Sequence, residues 1–237
     1  MSNELLLLIS LVGIYSMVLI WFYFFGDKGL YAFTVIATIA ANIEVLILVK
    51  AFGLEQTLGN ILFAATFVIT DILSEVSGKK KAQTAVNLGI MTSITFILLS
   101  QSWLLYTPAP TDFASPSIHA IFSNTPRLML ASFLVYAITQ RFDVWVYHKI
   151  WEKTTKILKD KKKGLWIRNN GSTLFSQLLN TVLFTFIAFY NVFDMNTLLS
   201  IVLSSYIIFI VTSVADTPVI YIARYLAEKK KNNKLNA

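Results

Sequence analysis

The sequence predicts an all-α integral membrane protein, a polytopic helical bundle of about seven transmembrane helices forming one domain over 1–237. Three observations predict it. Of 237 residues, 56% are hydrophobic and only 14% charged, with a mean hydropathy of +0.64, whereas an ordinary soluble domain carries about 25% charged residues. The apolar residues fall in runs of about 20 or more, the length that crosses a bilayer, and not in amphipathic stripes. Finally, 16 of the 20 Lys and Arg residues gather in three short segments between those runs. A soluble enzyme is excluded first.

The first run, 5–25, has 21 residues without a charge, which at 1.5 Å per residue covers a hydrocarbon core of about 30 Å. A cleaved signal peptide is the competing reading. The run exceeds the usual apolar core of about 7–15 residues, Glu4 stands where Lys or Arg belongs, and Gly26-Asp27 is a poor cleavage site, so a retained span is expected. The next runs are 30–52 and 58–76, the latter ending at Gly78 and three lysines, followed by 82–106. The stretch 107–126 carries Asp112 and no Lys or Arg, with Pro and Ser suited to a short ordered excursion or partial re-entrant. Spans at 127–150, 171–193 and 197–226 complete the set, and 227–237 reads as a basic tail.

Orientation follows from the cations, because short loops rich in Lys and Arg stay cytoplasmic. The three basic segments are 79–81, 149–168 and 224–234, which follow the third, fifth and seventh spans and so lie on one side. The expected topology is a multi-pass protein of the inner or plasma membrane with its N-terminus outside and its C-terminus cytoplasmic. The formal charge of +7 is then a topology signal. No basic stripe interleaved with exposed aromatics points to nucleic acid, and the basic runs face water and anionic lipid. With no Cys there is no disulfide, thiolate nucleophile or Cys metal site.

Ionisable and amide groups inside the spans are costly, so they mark candidate sites. Asn42 shares a face with Thr38 one turn earlier, while Glu44 falls about 200° away round the helix; Asn42 either lines a cavity or bonds a neighbouring helix. Asp71 and Glu75 share a face in the third span, with Asp71 the deeper. A Glu75–Lys79 pair one turn apart is the plain structural alternative for Glu75. Gln140 and Asp143 share a face in the fifth span, whereas Arg141 and His148 fall near its end as interfacial groups. Ser172, Ser176 and Asn180 repeat every four residues beside Thr173 and Gln177, after Arg168 and Asn169, so one stripe of the sixth span is polar over three turns. The seventh span holds one acid, Asp216, before Thr217-Pro218, where a kink or unwound backbone would suit a gate or a binding site.

This inventory of amides, hydroxyls and three buried acids, with Arg at the rims and abundant aromatics, suits a neutral or cationic ligand rich in N–H donors. A purine-like base fits, its donor edge read by a carboxylate and its face stacked on aromatic rings; a small vitamin fits as well. HExxH, GxSxG, a P-loop and a nicotinamide fingerprint are all missing from the sequence. No enzyme, cofactor or metal is expected.

The strings RNNGSTLFSQLLNTVLF (168–184), RLMLASFLVYAITQRFDVWVYH (127–148), ITDILSEVSGKKKA (69–82) and ADTPVIY (215–221) resemble the queuosine precursor transporter family, also described as vitamin uptake transporter-like. The resemblance covers the second to seventh spans and implies a six-helix core plus an N-terminal helix. It implies import of 7-deazaguanine precursors of queuosine, such as preQ0 and preQ1, for tRNA queuosine salvage, with the bilayer and that small molecule as partners; a homo-oligomer is left open. It also implies that Arg127, Ser132, Gln140, Asp143, Arg168, Asn169, Ser172, Gln177 and position 180 are motif positions. Family members often have an acid where this chain has Asn180, which shifts a carboxylate role to Asp143 or Asp71. The expected substrate-binding set is therefore Asn42, Asp71, Glu75, Arg127, Gln140, Asp143, Arg168, Asn169, Ser172, Ser176, Gln177, Asn180 and Asp216. The alternatives are a substrate-binding membrane subunit that needs a separate ATP-driven module, and a membrane enzyme or assembly factor.

Overall fold

The computed structural model describes residues 2–123 and 126–235 as eight helices and one β-hairpin. In chain order these are α1 (Asn3–Phe25), α2 (Asp27–Glu44), β1 (Leu48–Ala51), β2 (Leu54–Thr57), α3 (Gly59–Val76), α4 (Lys79–Trp103), α5 (Ser115–Phe122), α6 (Pro126–Leu158), α7 (Leu165–Phe189) and α8 (Met195–Leu235). Asn124 and Thr125 of the expected loop, and the last two residues of the tail, lie outside the described residues.

The all-α membrane reading holds. Five described helices, α1, α3, α4, α7 and α8, are long and apolar enough to cross a membrane; α5 and α6, bent 56° apart, make a sixth if they form one broken span. The expected seventh, α2, matches α3 in length but falls short of that standard in apolarity, because its 18 residues include Asp27, Lys28, Asn42 and Glu44. It nevertheless runs the height of the bundle. Its start is tied to the end of α3 by Ser77 donating to Asp27 (2.7 Å), and its end leads into the hairpin. α1 and α2 fold back on each other closely at Gly29, where a β-carbon would lie 2.3 Å from the Trp21 carbonyl oxygen.

Several boundaries differ from those expected. The run 30–52 is not one helix: the chain leaves α2 at Glu44, and Phe52 and Gly53, both at positive φ, make a two-residue turn that pairs Leu48 with Thr57 and Ala51 with Leu54. α7 begins six residues before the expected 171, so Arg168, Asn169 and Asn170 are helical and not a preceding loop. α6 runs eight residues past 150 until Lys159 turns with φ +52°. α8 continues unbroken through Pro218 and the basic tail, which corrects the expectation of unwound backbone there. At 41 residues it is about 60 Å long, twice the hydrocarbon core, so its last turns project beyond it.

α3 is the central helix, buried along most of its length and packed on α1, α2, α4, α6 and α8, while α7 packs between α6 and α8. The bundle has two distinct ends. At the hairpin end, Asn3 donates to the Lys50 carbonyl (2.9 Å) and Glu4 accepts from the Phe52 amide (3.0 Å). The opposite end collects the starts of α2, α4 and α7, the ends of α1, α3, α6 and α8, and all three basic segments.

Candidate functional site

α7 starts after Gly164, whose left-handed φ of +75° reverses the chain out of α6; it packs on α6 and α8 and reaches α3 through the side chains of Arg168 and Thr173. Ser172, Ser176, Gln177, Asn169, Asp71, Gln140, Asp143 and Asp216 are all buried, and Asp71, Asp143, Asp216, Ser172 and Ser176 lie together as the heart of one polar centre. Part of it is bonded. Gln140 donates to Thr66 (2.6 Å) and accepts from Thr70 (3.3 Å), tying α6 to α3. Thr173 donates to Asp71 Oδ2 (3.3 Å), and Asn170 and Asn169 donate to Thr217 at 2.7 and 3.2 Å. Tyr15 on α1 donates to Asp216 Oδ1.

The remainder is unsatisfied. Asp71 Oδ1, both oxygens of Asp143, Asp216 Oδ2, Asn169 Oδ1, Ser176 Oγ and both amide atoms of Gln177 are buried with no hydrogen-bond partner. Asp143 faces Ser172, Ser176 and Asp71. Among the described residues no Lys or Arg lies within salt-bridge distance of Asp71, Asp143 or Asp216. Buried polar groups are normally paired, and an orphan costs about 1–3 kcal/mol. The centre therefore has the acceptor capacity to read a ligand's N–H groups.

A cavity of about 260 Å³ lies at the hairpin end, lined in part by Gln56, Thr57, Asn60, Asn180, Phe184 and Phe209. A second cavity of about 40 Å³ shares Asn60, Asn180 and Phe209 with it and adds Phe63, Ser132 and Val135. Asn180 lines both, with Gln177 and Ser176 about one turn away along α7. Pockets for drug-sized ligands run about 300–1,000 Å³, so this vestibule suits a solute at the small end of that range.

Four expected site residues lie elsewhere. Asn42 donates to the Thr38 carbonyl of its own helix (2.8 Å), not to the acids. Arg127 holds the far end of α7, donating to the carbonyls of Ile187 (2.9 Å) and Tyr190 (2.8 Å). Glu75 and Arg168 bind each other at the Lys-rich end. Arg168 Nη2 reaches both Glu75 oxygens at 2.7 Å and its Nε reaches Oε2 at 2.9 Å, so the alternative Glu75–Lys79 pair does not form. Tyr147 (2.9 Å) and Arg224 (3.2 Å) also donate to Glu75, and the Arg168 guanidinium lies 4.3 Å from the Trp151 ring.

Sequence reasoning missed Tyr15, Tyr147, Trp151, Arg224 and the vestibule walls other than Asn180 and Ser132. Tyr15 had a signal, as one of the few polar side chains within the first apolar run; the aromatics had none among so many.

A family model described as "Putative vitamin uptake transporter" matches residues 57–223, from the end of the hairpin into α8. The chain is 36% identical over 210 residues, 89% of its length and 90% of the relative's, to the "Probable queuosine precursor transporter" of Bacillus subtilis (strain 168). It is 26% identical over 158 residues, 67% of its length and 66% of the relative's, to the "Queuosine precursor transporter" of Escherichia coli (strain K12). No solved structure matches.

Proposed function

The chain belongs to the queuosine precursor transporter family, matched by the vitamin uptake transporter model, and we propose that it imports 7-deazaguanine precursors of queuosine, such as preQ0 and preQ1, for tRNA queuosine salvage. It is a multi-pass membrane transporter and not an enzyme. The observation that carries the substrate reading is the buried centre of unpartnered carboxylate and amide acceptors beneath a small, aromatic-walled vestibule. A 7-deazaguanine presents adjacent N–H donors along one edge, a carbonyl acceptor, and two flat faces. Asp143, which among the described residues faces two serine hydroxyls and no cation, accepts the paired N–H donors; Asp71 stands beside it as a second acceptor. Gln177 and Asn180 offer both a donor and an acceptor to fix the base's orientation. Phe184 and Phe209 offer faces for stacking, worth about 1–3 kcal/mol per base.

The Lys-rich end is the cytoplasmic one by the positive-inside rule, which puts the N-terminus, hairpin and vestibule outside. Solute then enters from the hairpin end, meets Asn180, and passes the polar centre toward the cytoplasm. Cells unable to make queuosine, but expressing this protein, should recover queuosine-modified tRNA when fed precursor. Asp143→Asn should abolish that recovery while the protein still accumulates in the membrane. Absence of recovery with correctly inserted wild-type protein would sink the substrate reading; full recovery with Asp143→Asn would make that acid structural.

A further inference from the structure

Passage through the bundle requires an exit at the Lys-rich end, and that end is closed. Arg168, Ser172, Ser176 and Asn180 repeat every four residues along α7, so Arg168 sits on the same stripe as the centre, about 18 Å along the helix from Asn180. Its side chain is fully buried, that of Glu75 is 3% exposed, and that of Arg224 is 21% exposed. Arg168 also donates to the Lys163 carbonyl (2.8 Å) and Arg224 to the Lys162 carbonyl (2.9 Å), which draws the connection between α6 and α7 across the exit. Outside them Lys162 pairs with Glu228 at 2.7 Å.

We propose that the Glu75–Arg168–Arg224 cluster is the inner gate of this transporter, shut here while the vestibule at the opposite end stands open. The proposal rests on the transport reading above. Three features make the cluster a gate. It joins α3, α6, α7 and α8, which also supply the acids and amides of the centre, so opening it uncovers the centre. Its bonds are between side chains or from side chain to loop backbone, so they break without unwinding a helix. The connection it grips begins at Lys159 (φ +52°) and ends at Gly164 (φ +75°), two left-handed turns on which a short segment can swing. Glu75 is the pin, because one carboxylate accepts from Arg168, Arg224 and Tyr147 together; it holds the exit and does not touch the solute in this state.

The natural absence of Cys allows a direct test that needs no substrate. A single Ser172→Cys reporter, one turn inward from Arg168, is placed in oriented vesicles and probed with a membrane-impermeant methanethiosulfonate from the Lys-rich side. With the gate intact the reporter stays protected. Adding Glu75→Gln should raise its labelling rate from that side by on the order of tenfold, since a contact favouring one state has been removed. An unchanged rate in correctly inserted protein overturns the proposal. Should Glu75→Gln fail to insert, Lys162→Cys/Glu228→Cys decides, since both native side chains are exposed. Joining them with a short reducible cross-linker should stop transport of a precursor that the uncross-linked protein carries, and reduction should restore it. Continued transport while cross-linked overturns the gate; no transport before cross-linking instead refutes the substrate reading.

Discussion

Replacing Glu75 by Gln keeps the side chain's size and removes the only negative charge, among the described residues, within salt-bridge distance of Arg168. Breaking one partner of a buried ion pair costs about 3–5 kcal/mol, because the other charge stays behind unpaired. Here Arg168 keeps the Lys163 carbonyl and the face of Trp151. Arg224 has a solvent-exposed fraction and can rehydrate. The lower end, about 3 kcal/mol, is therefore expected. For a chain of this size each kcal/mol lowers the melting temperature by about 2–4 °C, so the detergent-solubilised variant should melt roughly 6–12 °C below wild type, followed by intrinsic fluorescence. The mechanism makes a second demand. If the cost is the stranded guanidinium, then Arg168→Gln added to Glu75→Gln should recover stability, since a neutral pair carries no uncompensated charge. A single variant melting with wild type, or a double variant melting below the single one, would refute the reasoning that the end is held by this ion pair.

Three further outcomes follow from particular contacts. Gly29→Ala places a β-carbon 2.3 Å from the Trp21 carbonyl oxygen and 2.9 Å from the Phe25 Cβ, so the α1–α2 fold-back should lose about 1–3 kcal/mol, read as a lower melting temperature; an unshifted transition would mean the two helices separate freely. Gln177→Leu removes two buried polar atoms that have no partner, and should leave thermal stability unchanged or raised while uptake is lost; a marked destabilisation would show the amide to be structural. Asp194, ahead of α8, accepts from the amides of Asn196 and Thr197 and from the Thr197 hydroxyl, and these bonds hold its carboxyl below the usual range. Because the folded value is depressed, this cap is fully present above about pH 4, the ordinary carboxylate value, and is lost as pH falls through the lower folded value. Asp194→Asn should accordingly speed amide exchange at the start of α8 near neutrality and make less difference in acid, whereas equal exchange at neutral pH would show the cap is idle.

The membrane class was readable because composition and uninterrupted length depend on single runs of sequence. So was the α7 stripe: Ser172, Ser176 and Asn180 declare a shared face by spacing alone. The hairpin was not readable, since 45–52 is as apolar as a span, and what separates strand from helix there is the turn at Phe52 and Gly53, a two-residue signal inside a long hydrophobic stretch. The helical tail was hidden for the opposite reason: its lysines report solvation, and solvated chain is helical or not according to what precedes it. Pairing between elements was least accessible. Glu75 meets Arg168 93 residues away, while the in-helix partner that spacing offers, Lys79, is the first residue of a new helix beyond the turn at Gly78.

The two kinds of buried acid in this bundle argue for two kinds of work. Glu75 is surrounded by donors and its charge is matched, which is how a carboxylate is used to hold helices together. Asp143 faces two serine hydroxyls and a second carboxyl and, among the described residues, has no cation within salt-bridge distance, although arginines lie elsewhere in the same bundle. If the centre existed for stability, apolar residues of equal volume would serve better, since they carry no desolvation cost. On the proposed function, a carboxylate kept deep in the bundle without a matching cation serves a partner that comes and goes, and the α7 stripe from Asn180 inward is the route by which it would arrive.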